Sequence, residues 1–121
     1  MITKQDIEKG LNSHVLWKQR LLDAVIIGKS EFKVEQVQVD NGCEFGKWLY
    51  GLSKQDQNST DFQSVKDLHA DFHKSAAKIL DLALSGKRME AQNHLDYKSE
   101  YSRLTGKLVL ALNNWKNSIK Q

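Results

Sequence analysis

Hydrophobic residues recur at helical spacing in three long stretches of the chain. Residues 3–27, 61–84 and 87–116 each carry apolar side chains three or four positions apart, which is the spacing of one helical face. The pattern predicts three long amphipathic helices. Their predicted inward positions are Ile7, Leu11, His14, Leu21 and Val25, then Phe62, Val65, His69, His73, Ala76 and Leu80, then Met89, Tyr97, Tyr101, Leu104, Leu108, Leu112, Trp115 and Ile119.

Shorter stretches join these helices. Residues 31–40 alternate imperfectly between apolar and polar positions, which predicts an extended connector. The turn signal Asp40-Asn41-Gly42 follows, and its first two residues can cap a short helix over residues 43–51. The polar residues 53–60 predict a loop. The only cysteine, Cys43, is therefore expected in the first turn of the short helix.

Amphipathic helices bury their apolar faces by packing on one another. The chain contains no proline, which favours long uninterrupted helices. A length of 121 residues fits one core, so we expect a single domain over residues 1–121. The predicted fold class is all-α, an antiparallel four-helix bundle with a short helix that carries Cys43.

Composition narrows the functional classes. The chain has no apolar run long enough to cross a bilayer, and residues 1–10 lack the apolar core of a secretory signal. The 18 basic residues are interleaved with 15 acidic ones and leave a net charge of only +3, so we expect no nucleic-acid partner. A single cysteine permits no intramolecular disulfide and is consistent with a reducing compartment. A cytoplasmic location without membrane insertion is expected.

Four residues have the chemistry of one metal site. His14, His69 and His73 lie on inward faces, and Cys43 follows a turn. Zn²⁺ prefers imidazole nitrogen and thiolate sulfur, and one Cys with three His completes a tetrahedral shell that leaves no position for substrate. We therefore predict a closed zinc site and no enzymatic activity. The alternative to a metal site is that Cys43 is a small buried apolar residue and that the histidines form hydrogen bonds within the core. A bundle with a carboxylate-bridged di-metal site would need a set of Glu and additional His ligands, which are absent.

The same residues form a pattern that resembles the chemoreceptor zinc-binding domain family of bacteria. Its signature is H-x-x-aromatic/Leu, then C-x-hydrophobic-G-x-hydrophobic, then H-x-x-x-H. The chain reads His14-Val15-Leu16-Trp17, Cys43-Glu44-Phe45-Gly46-Lys47-Trp48 and His69-Ala70-Asp71-Phe72-His73. Every motif position is filled, and the resemblance extends over most of the chain.

The resemblance implies a helical bundle, zinc bound by His14, Cys43, His69 and His73, and frequent homodimers. It also implies that Gly46 lets a helix or ring pass close to the metal, and that Trp17, Phe45 and Trp48 wall the site, although plain core packing explains these rings as well. Members occur with chemoreceptors, with diguanylate cyclases and alone. Met1 directly ahead of the first helix favours a free-standing protein or an N-terminal position.

The resemblance leads to a functional hypothesis. We expect a sensory or regulatory domain that responds to zinc or to oxidation of Cys43, since members of the family respond to zinc and to hypochlorous acid. The change would pass to a signalling partner of the chemotaxis or cyclic-di-GMP type. The alternative is an adaptor bundle in which zinc is a permanent structural staple. The sequence alone does not separate the two.

Overall fold

A computed structural model describes residues 2–119, and within that range all regular secondary structure is helical. The predicted all-α bundle is confirmed. Three helices are long: α1 (Lys4–Ile27), α4 (Thr60–Leu84) and α6 (Glu100–Ser118). Three are short: α2 (Val34–Gln38), α3 (Glu44–Tyr50) and α5 (Arg88–His94), and a single 3₁₀ turn, Asp56–Asn58, lies in the predicted loop.

Polar side chains fix where the long helices begin. Thr3 and Asp6 form a reciprocal capping box at the start of α1, Ser59 accepts a hydrogen bond from the Phe62 N–H at the start of α4, and Ser99 caps α6 in the same way. Gly28 ends α1 with a φ of 78°, a left-handed conformation that glycine adopts without strain.

The three long helices pack against one another around one core. Lys116 near the end of α6 pairs with Glu8 near the start of α1 at 2.5 Å, so these two helices run antiparallel. Arg88 at the start of α5 donates to the carbonyls of Val25 and Ile26 at the end of α1. None of the described helices combines the length and the apolar character needed to cross a membrane.

The predicted extended connector is wrong in part, because residues Val34–Gln38 form the helix α2. In a helix Val34 and Val37, three positions apart, lie on one face; Val37 is buried and Val34 packs against the core. The Gln36 side chain accepts the N–H of Lys33 ahead of the first turn. A helix of five residues is little more than one turn, so its apolar positions do not repeat often enough to distinguish helical spacing from strand alternation.

The predicted third long helix is interrupted. α5 ends at His94 and α6 begins after Ser99, whose hydroxyl caps the new helix. Two predicted inward positions are wrong as a result: Met89, in α5 ahead of the break, is 80% exposed, and Tyr97, within the break, is 75% exposed. After the break the stripe is as predicted, and Tyr101, Leu108, Leu112 and Trp115 are buried.

Candidate metal centre

His14 lies on the inward face of α1 and is only 1% exposed. Its Nδ1 lies 2.6 Å from the carbonyl oxygen of Gly10, one turn earlier. Because a carbonyl only accepts, Nδ1 carries the proton, and Nε2 presents a lone pair. That Nε2 is buried and has no hydrogen-bond partner. Burial lowers the pKa of His14 to about 4, with His73 and Arg20 adding to the shift, so the ring is neutral at pH 7.

His69 and His73 lie one turn apart on α4 and are both buried. His73 donates from Nδ1 to the carbonyl of Val37 in α2 at 2.9 Å, which turns its Nε2 toward His69 Nε2, 3.0 Å away. Burial, with His14 and His73 nearby, lowers the pKa of His69 to about 2. Burial also lowers the pKa of His73, although its hydrogen bond to Val37 opposes the shift. α4 therefore presents two neutral imidazoles to one point.

Cys43 was predicted in the first turn of the short helix and is instead the N-cap of α3, one position before that turn. Its sulfur accepts the N–H of Gly46 at 3.2 Å and lies 3.4 Å from His69 Nε2 and 3.5 Å from His73 Nε2. A helix start favours an anion, so by itself it would make the thiol easier to deprotonate. Burial raises the pKa of Cys43 and outweighs the backbone N–H groups of Gly46 and Phe45, which lower it. The protein's own groups thus keep the thiol protonated.

The four ligand atoms lie within 4.8 Å of one another. In a tetrahedral zinc site, bond lengths near 2.0–2.1 Å to nitrogen and 2.3 Å to sulfur place two nitrogens about 3.3 Å apart, and sulfur about 3.6 Å from nitrogen. The His69–His73, Cys43–His69 and Cys43–His73 separations of 3.0, 3.4 and 3.5 Å are close to these values. A cation at this point would also satisfy the unpaired lone pair of His14. The donor set and its spacing fit a zinc ion.

These observations agree with a comparison to known protein families. The profile of a family described as the chemoreceptor zinc-binding domain matches residues 14–80, which is more than half of the chain. The chain belongs to the chemoreceptor zinc-binding domain family. No curated protein and no solved structure matches it.

The match to the zinc-binding family begins at His14 and includes Cys43, His69 and His73. The remaining histidine, His94, lies at the end of α5 outside this group. Within the described residues the structure thus collects the four predicted ligands and leaves the fourth histidine of the chain elsewhere.

Aromatic rings enclose the site. The Phe45 ring lies edge-on to His14 and His69, with centroids 5.3 and 5.2 Å apart, and Trp17 lies 6.3 Å from His73. Trp48 was predicted to wall the site, but its ring does not contact the histidines. Its ring lies behind Phe45, between Phe45 and Trp115, at 5.5 and 5.7 Å.

Phe72 takes the place predicted for Trp48. Its ring lies 5.1 Å from His14 and 5.7 Å from His73, and it is fully buried. The sequence contained a usable signal, since Phe72 immediately precedes a predicted ligand and follows His69 by three positions, so all three lie on adjacent parts of one helical face.

Gly46 allows a close approach, but of different atoms from those predicted. A Cβ at this position would overlap the backbone carbonyl of Asp40. The turn before Cys43 therefore folds directly onto the first turn of α3. Tyr50 reinforces this arrangement by donating its hydroxyl to the Asp40 carboxylate at 2.6 Å, and this hydrogen bond raises the pKa of Tyr50 to about 12.

An open cavity of about 730 Å³ reaches the site between α1 and the segment that contains α2 and α3. Cys43 and His73 both line it, together with Trp17, Arg20 and Lys47. Cys43 is also the one predicted ligand that is not fully buried. Small solutes can thus approach the sulfur more readily than His14 or His69.

Proposed function

We propose that this chain is a zinc-binding sensory domain in which His14, Cys43, His69 and His73 hold one Zn²⁺. The observation that carries the proposal is the convergence of three neutral imidazoles and one thiol within 4.8 Å in a chain that belongs to a zinc-binding family. Bound zinc would supply a positive charge that stabilises the Cys43 thiolate and satisfies the imidazole lone pairs. With four protein ligands the site has no place for a substrate, and we propose no enzymatic activity.

Backbone carbonyls orient two of the three histidines for this role. Gly10 and Val37 accept the Nδ1 protons of His14 and His73 through their backbone carbonyls, which sets the tautomer and the ring orientation. Their lowered pKa values keep the rings unprotonated at neutral pH. These residues support a site that is largely formed before a metal arrives.

Cys43 is the residue that we propose to switch. It lies at the start of the seven-residue helix α3 and lines the open cavity. A peroxide can oxidise it: the thiolate sulfur forms a bond to one peroxide oxygen, the O–O bond breaks, and hydroxide leaves. The resulting sulfenic acid is a poorer ligand than the thiolate. Withdrawal of zinc by a chelator would release Cys43 without any change in oxidation state.

Release of Cys43 would free α3 to move. The start of α3 is attached to the core next to the site, whereas its far end is held by Gln57, whose side-chain amide donates to the carbonyls of Leu49 and Leu52. We propose that this movement is read by a signalling partner of the chemotaxis or cyclic-di-GMP type, in the cytoplasm, with the domain present as a homodimer.

A structural staple is the second candidate. The nearly complete burial of His14, His69 and His73 favours it, because buried ligands exchange metal slowly. Zinc would then hold the bundle together permanently, and partner binding alone would carry the signal. The two functions differ in the free zinc concentration at which the site is half filled and in the response to a peroxide.

Metal analysis of the purified protein tests the proposal. We expect about one zinc per chain, and a loss of roughly 100- to 1000-fold in zinc affinity for His69→Ala, since structural sites bind zinc with about 10–16 kcal/mol shared among four ligands. His94→Ala is the matched control and should bind zinc as the wild type does. A wild-type chain without zinc affinity, or equal effects of the two substitutions, would contradict the proposal.

A further inference from the structure

Gly10 and Phe45 join α1 to α3 beside the metal centre. Gly10 is buried, and a Cβ atom at this position would overlap the Cδ1 and Cε1 atoms of the Phe45 ring. The ring thus fills the space that any other side chain at position 10 would occupy. Glycine weakens the interior of a helix relative to alanine, so the stability of α1 itself does not account for it here.

The same glycine lies next to His14 on α1 and Phe45 on α3. Its carbonyl accepts the proton of His14 Nδ1 at 2.6 Å. Through the Phe45 ring it also lies next to His69, whose ring centroid is 5.2 Å from that of Phe45. Phe45 in turn is two residues after Cys43, in the first turn of α3. The ring and the Cys43 sulfur thus belong to the same end of α3.

Open space borders this contact between α1 and α3. Gly10 and Phe45 line a cavity of about 200 Å³, and the nearby residues Ser13 and Cys43 line the cavity of about 730 Å³. Ser13 and Glu44 border both cavities. α1 and α3 make few other contacts with each other, so little else holds the start of α3 against α1 if the ring of Phe45 is displaced.

We propose that Gly10 is a positioning residue for Cys43. By leaving room for Phe45 it holds the start of α3, and with it the thiol, against His69 and His73. Gly10 lies four residues ahead of the profile match, which starts at His14. The inference rests on the proposed zinc site, and it assigns to one residue the control of whether the fourth ligand is in place.

The test compares Gly10→Ala with Gly106→Ala. Gly106 lies within α6, and a Cβ there would meet no other atom within 4 Å, so it controls for the general effect of alanine in a helix. We expect Gly10→Ala to weaken zinc binding by roughly 10- to 100-fold, the range for residues that orient metal ligands. With Co²⁺ as the probe, the thiolate-to-cobalt charge-transfer absorption should be lost while histidine-bound cobalt remains. Gly106→Ala should preserve both.

The decisive experiment introduces Gly10→Ala both into the wild type and into the Phe45→Ala variant. If Gly10 acts through the ring, Gly10→Ala should change zinc affinity by no more than about twofold once the ring is absent, since the two residues act as one coupled pair. An equal loss in both backgrounds, or no loss in either, would overturn the inference. Should Gly10→Ala not fold, recovery of helical circular dichroism in the double variant would support the inference, and continued unfolding would overturn it.

A readout without zinc separates this inference from the proposed function. In metal-free protein, 5,5′-dithiobis(2-nitrobenzoate) should modify Cys43 at least about tenfold faster in Gly10→Ala than in the wild type or in Gly106→Ala, because a displaced α3 exposes the sulfur. Unchanged modification rates would overturn the inference even where wild-type zinc binding upholds the proposed function. If the wild type had no zinc affinity but Cys43 were still modified faster in Gly10→Ala, the positioning role would be upheld while the proposed function fails.

Discussion

The two histidines of α4 and the cysteine before α3 reach the same point from very different supports. α4 has 25 residues, is capped by Ser59 and buries a continuous face of the core. α3 has seven residues and buries Phe45, Gly46 and Leu49. Ligands on α4 are thus held by packing that does not depend on metal, whereas the position of Cys43 depends on a few local contacts.

This difference is the basis of the switch that we propose. His69 and His73 cannot leave without disturbing the core, because the whole helix would have to move. Cys43 can leave when three local contacts yield: Phe45 against Gly10, Gly46 against Asp40, and Tyr50 to Asp40. We therefore propose that the short helix is the mobile half of the site and the long helix its fixed half.

Phe72→Ala should have the largest effect, because it removes a fully buried ring from the fixed half. We expect the free energy of unfolding to fall by about 3–5 kcal/mol, measured by urea denaturation of the metal-free protein. Leu49→Ala removes an equally buried side chain from α3, and its global effect should be less than half as large. Equal losses would show that α3 is as firmly integrated as α4.

Acid should destabilise the metal-free protein through the histidines. The folded-state pKa of His14, about 4, lies below the ordinary value of 6.5, so the unfolded chain takes up its proton first. Stability is then constant above pH 6.5 and falls below it, by about 2 kcal/mol for this group alone at pH 5. Urea denaturation at pH 7.5 and 5 measures the effect. His14→Leu should reduce the loss, while His94→Gln should leave it unchanged.

Zinc affinity should increase about tenfold per pH unit between pH 7 and 8.5, equivalent to about 1.4 kcal/mol per unit. The imidazoles are already neutral in this range, while the raised pKa of Cys43 leaves one proton to be released on metal binding. Calorimetry in two buffers with different ionisation enthalpies counts that proton. Cys43→Ala should reduce the count to near zero, and a count of two or more in the wild type would contradict the assignment.

Tyr50→Phe should have the smallest effect, about 0.5–1 kcal/mol, because it removes one partly solvated hydrogen bond to Asp40. The loss should appear as faster hydrogen exchange within residues 44–50, with no measurable change in global unfolding. A matched loss of exchange protection in residues 62–80 would indicate that the two halves of the site are not independent.

Helical periodicity carried most of the prediction from sequence. Long amphipathic stripes fix which face of a helix is buried, and periodicity alone therefore placed His14, His69 and His73 on inward faces, where all three are buried. The interruption at residues 95–99 and the helix α2 were missed. Both depend on local capping, by Ser99 and by the Gln36 side chain, and neither produces a periodic signal.

The contacts around the ligands were harder to predict from the sequence than the ligands themselves. Trp48 shares a helix with Phe45, but its ring packs against Trp115 in the core and not against the histidines. Gly10 gave no signal of its own, since its role depends on a ring that is 35 positions later in the chain. Such pairings arise from tertiary packing, which periodicity within one helix does not encode.

Hydrogen exchange of the zinc-loaded protein before and after treatment with a peroxide tests most directly whether Cys43 is the mobile ligand. The account predicts that amides in residues 44–50 exchange at least about tenfold faster after oxidation, while those in residues 62–80 keep their protection. Cys43→Ala should show the faster exchange without any peroxide. Uniform loss of protection throughout the bundle, or unchanged exchange in residues 44–50, would contradict the account.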